Sequence, residues 1–172
     1  MNVELEQKLA KEFPFMLIQK DGNKEGAFNC FNCECDDGWF ELIRRMCTEI
    51  TKEFTERKLT VGFVPSQIKE KYGSLVTYYG IEFDEGTEEF TENRVKQAVA
   101  AITDKYEKIS ATVCERCGGE ARKWDDISWL RTLCNEHHEE ALQAHSELVK
   151  EFVPTEDVET IRRVEEVLTE VE

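Results

Sequence analysis

Histidine is scarce in this chain and comes late: three occur in 172 residues, and none precedes His137. That removes the chemistries that need an early imidazole. Zinc nucleoside deaminases pair a CxxC with an upstream His-x-Glu, which is missing here. A phosphate-cradling glycine loop, a GxSxG elbow and an HExxH helix are also missing. No run approaches the roughly eighteen apolar residues a membrane span needs, and the opening MNVELEQKLAKEF lacks the apolar core of a secretory leader. Neither an internal repeat nor a low-complexity stretch is visible. Basic residues are few: 22 Lys and Arg stand against 37 Asp and Glu, a formal charge of −15. Such a surface repels nucleic acid at long range and favours a basic partner.

The seven cysteines are the conspicuous presence. Without a leader they belong to a reducing cytoplasm, of a bacterium or a phage-infected host cell, where they point to thiols and metal rather than disulfides. Cys114-x2-Cys117 is a knuckle that puts two thiolates on one ion, and Gly118-Gly119 lets the chain reverse. Cys134-x2-His137, after sixteen intervening residues, supplies a third and fourth donor from the first turn of a helix. Three thiolates and an imidazole suit tetrahedral Zn2+ with no position left for substrate, a structural staple. His138 is an alternative fourth ligand. A second group, Cys30, Cys33, Cys35 and Cys47, is either a second metal site made wholly of thiolates, a redox-sensitive thiol site, or a set of buried thiols.

The segment Cys114 to His138 resembles a treble-clef zinc finger, in which a knuckle, a hairpin and a helix wrap one ion. The hairpin would run from Ala121 to Leu133, with Asp125-Asp126 at its tip. Treble-clef nucleases carry a general-base histidine on that hairpin, and Gly118 to Leu133 contains none. Arg122, Lys123 and Arg131 gather near Trp124 and Trp129, a candidate binding surface for nucleic acid. An enzyme using Cys30, Cys35 or Cys47 would have to recruit His138 or His145 from across the fold, so the sequence points away from catalysis without settling the question.

Periodicity orders the remainder. Leu5, Leu9 and Phe13 mark a short helix that stops at Pro14, after which PFMLIQK reads as extended. Asp36-Asp37-Gly38 is expected to cap a core helix carrying Trp39, Ile43, Met46, Ile50 and Phe54 on one stripe. Gln67–Tyr72 and Leu75–Phe83 read as strands around Tyr72-Gly73-Ser74, with Pro65 interrupting what precedes them and Lys69 and Lys71 sharing a face. Val95, Ala98, Val99, Ile102, Tyr106 and Ile109 mark a helix of about eighteen residues. Beyond Pro154, the stripe Val158, Ile161, Val164, Leu168 and Val171 predicts a last amphipathic helix, folded back on the core or offered to a partner or a second copy. From Asn135 to Glu172 there are twelve acidic and three basic residues, so −9 of the −15 lies there. That excess is either a solvated face or a surface that imitates phosphate spacing.

Asp37-Gly38-Trp39-Phe40, the stretch Ile68 to Leu75, and Cys114-x2-Cys117-Gly118 with Trp129 to Cys134-x2-His137 together resemble a family of small, uncharacterised proteins of bacteria and their phages. The resemblance implies an α+β fold with a zinc lobe and carries no activity. The expected organisation is a core of helices on a small antiparallel sheet over 1–110, a zinc lobe packed on it over 111–153, and the acidic helix over 154–172. The expected role is binding another macromolecule without catalysis, as an inhibitor or regulator of a host system. Nucleic-acid binding through the zinc hairpin and a thiol- or carboxylate-based enzyme are the alternatives.

Overall fold

Trp39, Ile43, Met46, Ile50 and Phe54 recur at three- and four-residue intervals, and all five are withdrawn from solvent. Burying each such side chain contributes on the order of 2 kcal/mol, so this stripe fixes where the core lies. The computed structural model describes residues 1–16, 33–126 and 129–152, residues 149–152 by backbone alone. Within them the protein is α+β. Its elements run α1 (Val3–Glu12), a 3-10 turn (Pro14–Met16), a second 3-10 turn (Asp37–Trp39), α2 (Phe40–Thr55), β1 (Phe63–Lys71), β2 (Ser74–Ile81), α3 (Glu89–Ser110), β3 (Arg122–Trp124), β4 (Arg131–Leu133) and α4 (Asn135–Phe152). Two antiparallel two-stranded sheets form, β1 with β2 and β3 with β4. The expected helix beyond Pro154 lies outside the described residues.

Helices α2 and α3 lie side by side, and α3 packs against β2. Val95, Val99, Ile102 and Tyr106 face α2 and the sheet from α3, while Phe63, Ile68 and Leu75 supply the sheet's inner face. An aromatic chain of Phe13, Phe15, Phe63 and Tyr79, with centroids 5.1–5.7 Å apart, ties the end of α1 to the start of β1. Glu34 adds a single parallel bridge to β1 at Lys69.

Four local expectations need correction. Pro14–Met16 is a 3-10 turn, not extended chain. Pro65 sits inside β1, which begins at Phe63; a register shift between Pro65 and Gln67 absorbs the ring and the missing N–H. Helix α3 spans 22 residues, because Glu89 and Glu92 extend its first turn where carboxylates favour the positive end of the dipole. Neither Asp36 nor Asp37 caps α2 with its side chain. Asp37 instead accepts hydrogen bonds from Asn2 N at 2.7 Å and Asn2 Nδ2 at 2.6 Å, and Asp36 accepts one from Arg131.

The turn at Gly38 abuts the segment that begins at Val113. A Cβ at Gly38 would lie 2.3 Å from the Cys114 carbonyl oxygen and 2.5 Å from Gly118 N, so no side chain fits. Gly38 N donates to Glu115 O at 2.7 Å, and Trp39 Nε1 donates to Val113 O at 2.8 Å. The second contact is the tip of the β1–β2 hairpin. Lys71 pairs with Ser74, leaving Tyr72 and Gly73 as a two-residue loop with φ of 53° and 67°, the left-handed pair of a type I′ turn.

Replacing Gly38 with Ala is expected to destabilise the protein by about 3 kcal/mol, because three backbone atoms must give way. Gly80 has open space around the position of a Cβ, so Gly80→Ala is expected to be neutral or slightly stabilising. Urea unfolding of the two variants beside the parent checks both.

Candidate metal centre

The chain leaves α3 at Ser110, turns through Thr112, and forms one bridge between Val113 and Glu120 before the β3–β4 hairpin. Between those bridge residues lies the knuckle. Gly118 takes φ +75°, which a residue with a Cβ rarely adopts. Cys114 O accepts from Gly118 N at 2.8 Å, and Cys114 N donates to Gly119 O at 2.7 Å, so the backbone closes on itself around the first two cysteines. Cys134 follows β4 directly, and His137 lies in the first turn of α4.

The four predicted donors converge. The sulfurs of Cys114, Cys117 and Cys134 and the ligating nitrogen of His137 all lie within 4.8 Å of one another. Cys117 Sγ is 3.9 Å from Cys134 Sγ, and His137 Nδ1 is 3.1 Å from Cys134 Sγ and 3.5 Å from Cys114 Sγ. A tetrahedron with metal–sulfur bonds near 2.3 Å and a metal–nitrogen bond near 2.0 Å has edges of about 3.5–3.8 Å, so this cage fits one ion. Cys114 is buried and Cys117 exposed. Burial pushes the Cys114 thiol up, but backbone N–H groups of Cys134, Cys117 and Arg116 and the Cys117 thiol outweigh it and bring it down to about 7. The Cys117 thiol is raised: the Gly119 N–H lowers it, and desolvation and its neighbours Cys114 and Cys134 more than reverse that.

His138, the alternative ligand, is engaged elsewhere. It is buried, its Nε2 donates to Asp126 Oδ1 at 2.8 Å, and its ring stacks on Trp124 with centroids 3.5 Å apart and planes 5° from parallel. The Arg122 guanidinium lies 3.7 Å from the Trp124 centroid, and Trp124 Nε1 donates to Leu133 O. Hairpin and α4 are thereby joined by a stack next to the donor set. The sequence offered no signal for this beyond the adjacency of the two histidines.

The rest of the candidate binding surface is drawn inward. Lys123 Nζ donates to Tyr72 O at 2.9 Å and Ser74 Oγ at 2.7 Å. Trp129 Nε1 donates to Glu70 at 3.0 Å, although its ring is 58% exposed. Arg131 donates to Glu115 Oε2 at 2.8 Å and to Asp36 Oδ2 at 2.6 Å. Glu115 is 3% exposed and also accepts from Asp36 N. Burial raises the Glu115 carboxyl above its ordinary value, more than the Arg131 guanidinium lowers it.

Among the described residues no other group of three or more Cys, His, Asp or Glu side chains is close enough to share an ion. Cys33, Cys35 and Cys47 are buried in the core, where desolvation pushes the thiols of Cys35 and Cys47 up. Cys30 lies outside the described residues. No helix among the described residues is long and apolar enough to cross a membrane.

His137→Ala is expected to lower metal affinity at least a hundredfold, whereas His138→Ala keeps one ion per chain and costs about 2 kcal/mol of stability. Elemental analysis and competition with a chromogenic chelator separate the two. In the metal-free protein, a thiol held near 7 in the fold and at 9.0 in its ordinary state stabilises the folded form above about pH 9. That contribution is lost as pH falls through about 7. Thiolate absorbance is expected to show one early step near neutrality, absent in Cys114→Ser.

Comparison with protein-family profiles, with curated proteins and with solved structures finds no match to this chain.

Proposed function

We propose that this is a non-catalytic protein, stabilised by one zinc ion, that acts by binding another macromolecule. The observation that carries the reading is the convergence of three thiols and His137 Nδ1 within 4.8 Å. Three soft thiolates with one imidazole favour zinc over harder cations, and four protein donors complete a tetrahedral shell without a substrate position. On this reading the last donors, carried at the end of a hairpin and the start of a helix, form a treble-clef-like lobe. The ion then contributes folding energy and does no chemistry. Support comes from the surroundings: His138, the nearest imidazole that could serve as a general base, is stacked on Trp124 and bound to Asp126.

The partner we propose is a protein with a basic surface, since a chain of −15 is attracted to one. The acidic excess over 135–172, −9 of the −15, would supply much of the complementary charge. A bacterial cytoplasm, with the protein encoded by a phage or mobile element and acting as an inhibitor or regulator of a host system, is the setting the sequence resemblance suggests.

Two measurements test the reading. Purified protein is expected to hold one zinc per chain, and its removal by a chelator at neutral pH to unfold the β3–β4 hairpin and the start of α4, seen as faster amide exchange there. Affinity capture from bacterial lysate is expected to retain a stoichiometric protein released by salt. Metal-free protein with unchanged exchange, or a capture that returns nothing stoichiometric, defeats the proposal.

A further inference from the structure

The cations of α2 and α3 mostly meet carboxylates: Arg44 with Glu12, Lys52 with Glu56, Lys96 with Glu92, Lys105 with Glu49 and Lys108 with Asp104. Two lysines of β1 meet aromatic rings instead. Lys69 Nζ lies 5.5 Å from the Tyr78 centroid, and Lys71 Nζ lies 5.5 Å from that of Tyr72. Among the described residues neither lysine has an ion-pair partner. Strand alternation places Gln67, Lys69 and Lys71 on one face, opposite Tyr78, Val76 and Ser74, while Ile68 and Leu75 occupy the core face at 2% exposure each. The rings are available, Tyr72 64% and Tyr78 40% exposed. At the tip Lys123 is engaged by Tyr72 O and Ser74 Oγ and braces the turn. The neighbouring carboxylates are turned to other partners, Glu34 to Gln67 Nε2, and Glu70 to Gly73 N and Trp129 Nε1.

We propose that the outer face of the β1–β2 hairpin binds single-stranded nucleic acid, with Tyr72 and Tyr78 stacking on bases and Lys69 and Lys71 meeting phosphates. Each ring carries an ammonium over one side and is exposed to solvent, the pairing of stacking platform and counter-charge that tracks a single strand without reading its sequence. Successive lysines on the face are about 7 Å apart along the strand, so neighbouring phosphates of an extended strand can be met in turn. An acidic peptide would satisfy the lysines but leave the rings without stacking partners. The chain's overall negative charge does not forbid this contact, because at physiological ionic strength fields decay over about 8 Å and local groups decide. This concerns a face and a ligand separate from the basic protein partner proposed above, and it survives if that partner is never found.

The test is fluorescence anisotropy of labelled oligothymidylate and oligouridylate with the full metal-loaded chain at low ionic strength. Expected is saturable binding that weakens with added salt. Lys69→Gln with Lys71→Gln is expected to weaken it about tenfold, as two lost phosphate contacts imply. Tyr72→Asn with Tyr78→Thr is expected to weaken it similarly; asparagine suits the left-handed turn and threonine suits a strand, and unchanged metal content and melting temperature show that the fold persists. Lys96→Gln with Lys108→Gln, on α3, is expected to change nothing. The proposal is overturned if neither oligonucleotide binds, or if the α3 pair weakens binding as much as the strand pair. Loss with the lysine variant but not the tyrosine variant, together with equal competition by polyglutamate, would reassign the face to an acidic peptide.

Discussion

A carboxylate with almost no contact with water sets the knuckle against the start of α2. Glu115 lies between the two cysteines of the knuckle, receives the Arg131 guanidinium from β4 and the Asp36 N–H from the chain entering α2, and gives its own carbonyl to Gly38. An ion pair this far from solvent returns little net energy, because desolvating both partners consumes most of the attraction. Its effect is geometric. A charge that must be met on every side admits one placement of the knuckle against the core, and the absence of a side chain at Gly38 lets the two backbones come within reach of it.

The donor cage inherits that precision. Cys114 and Cys117 flank Glu115, so fixing the carboxylate fixes both sulfurs of the knuckle. Cys134 follows the strand that carries Arg131, and Thr132 on that strand gives its carbonyl to Glu115 N at 3.0 Å. His137 is set by α4, whose first turn is locked to the hairpin through His138 on Trp124. The four ligating atoms thus converge through contacts made by residues that are not ligands.

Much of this was legible in the sequence, and what was not shares a cause. The cysteine and histidine spacing gave the donor set, because ligands from a knuckle and a helix start are local patterns. The stripe from Trp39 to Phe54 and the Tyr72-Gly73 turn were legible for the same reason. Asp36 read as a cap because it precedes a helix; its carboxylate answers Arg131, 95 residues away. Arg131, Lys123 and Trp129 resembled a recognition surface because basic and aromatic residues gather there. Their partners, Glu115, Tyr72, Ser74 and Glu70, become visible only once the hairpin is laid against the core. Pro65 misled by type, since a register shift lets a strand carry it.

The β1–β2 turn has a last implication. Tyr72 occupies a left-handed conformation that costs a residue with a Cβ on the order of 1 kcal/mol, and the carbonyls of Tyr72 and Gly73 are answered by Lys123 and Thr132. The chain thus stores a small local strain in one half and the groups that relieve it in the other. Seen this way the boundary near Ser110 is bridged from beyond it, since both carbonyls of the turn are answered by the β3–β4 hairpin.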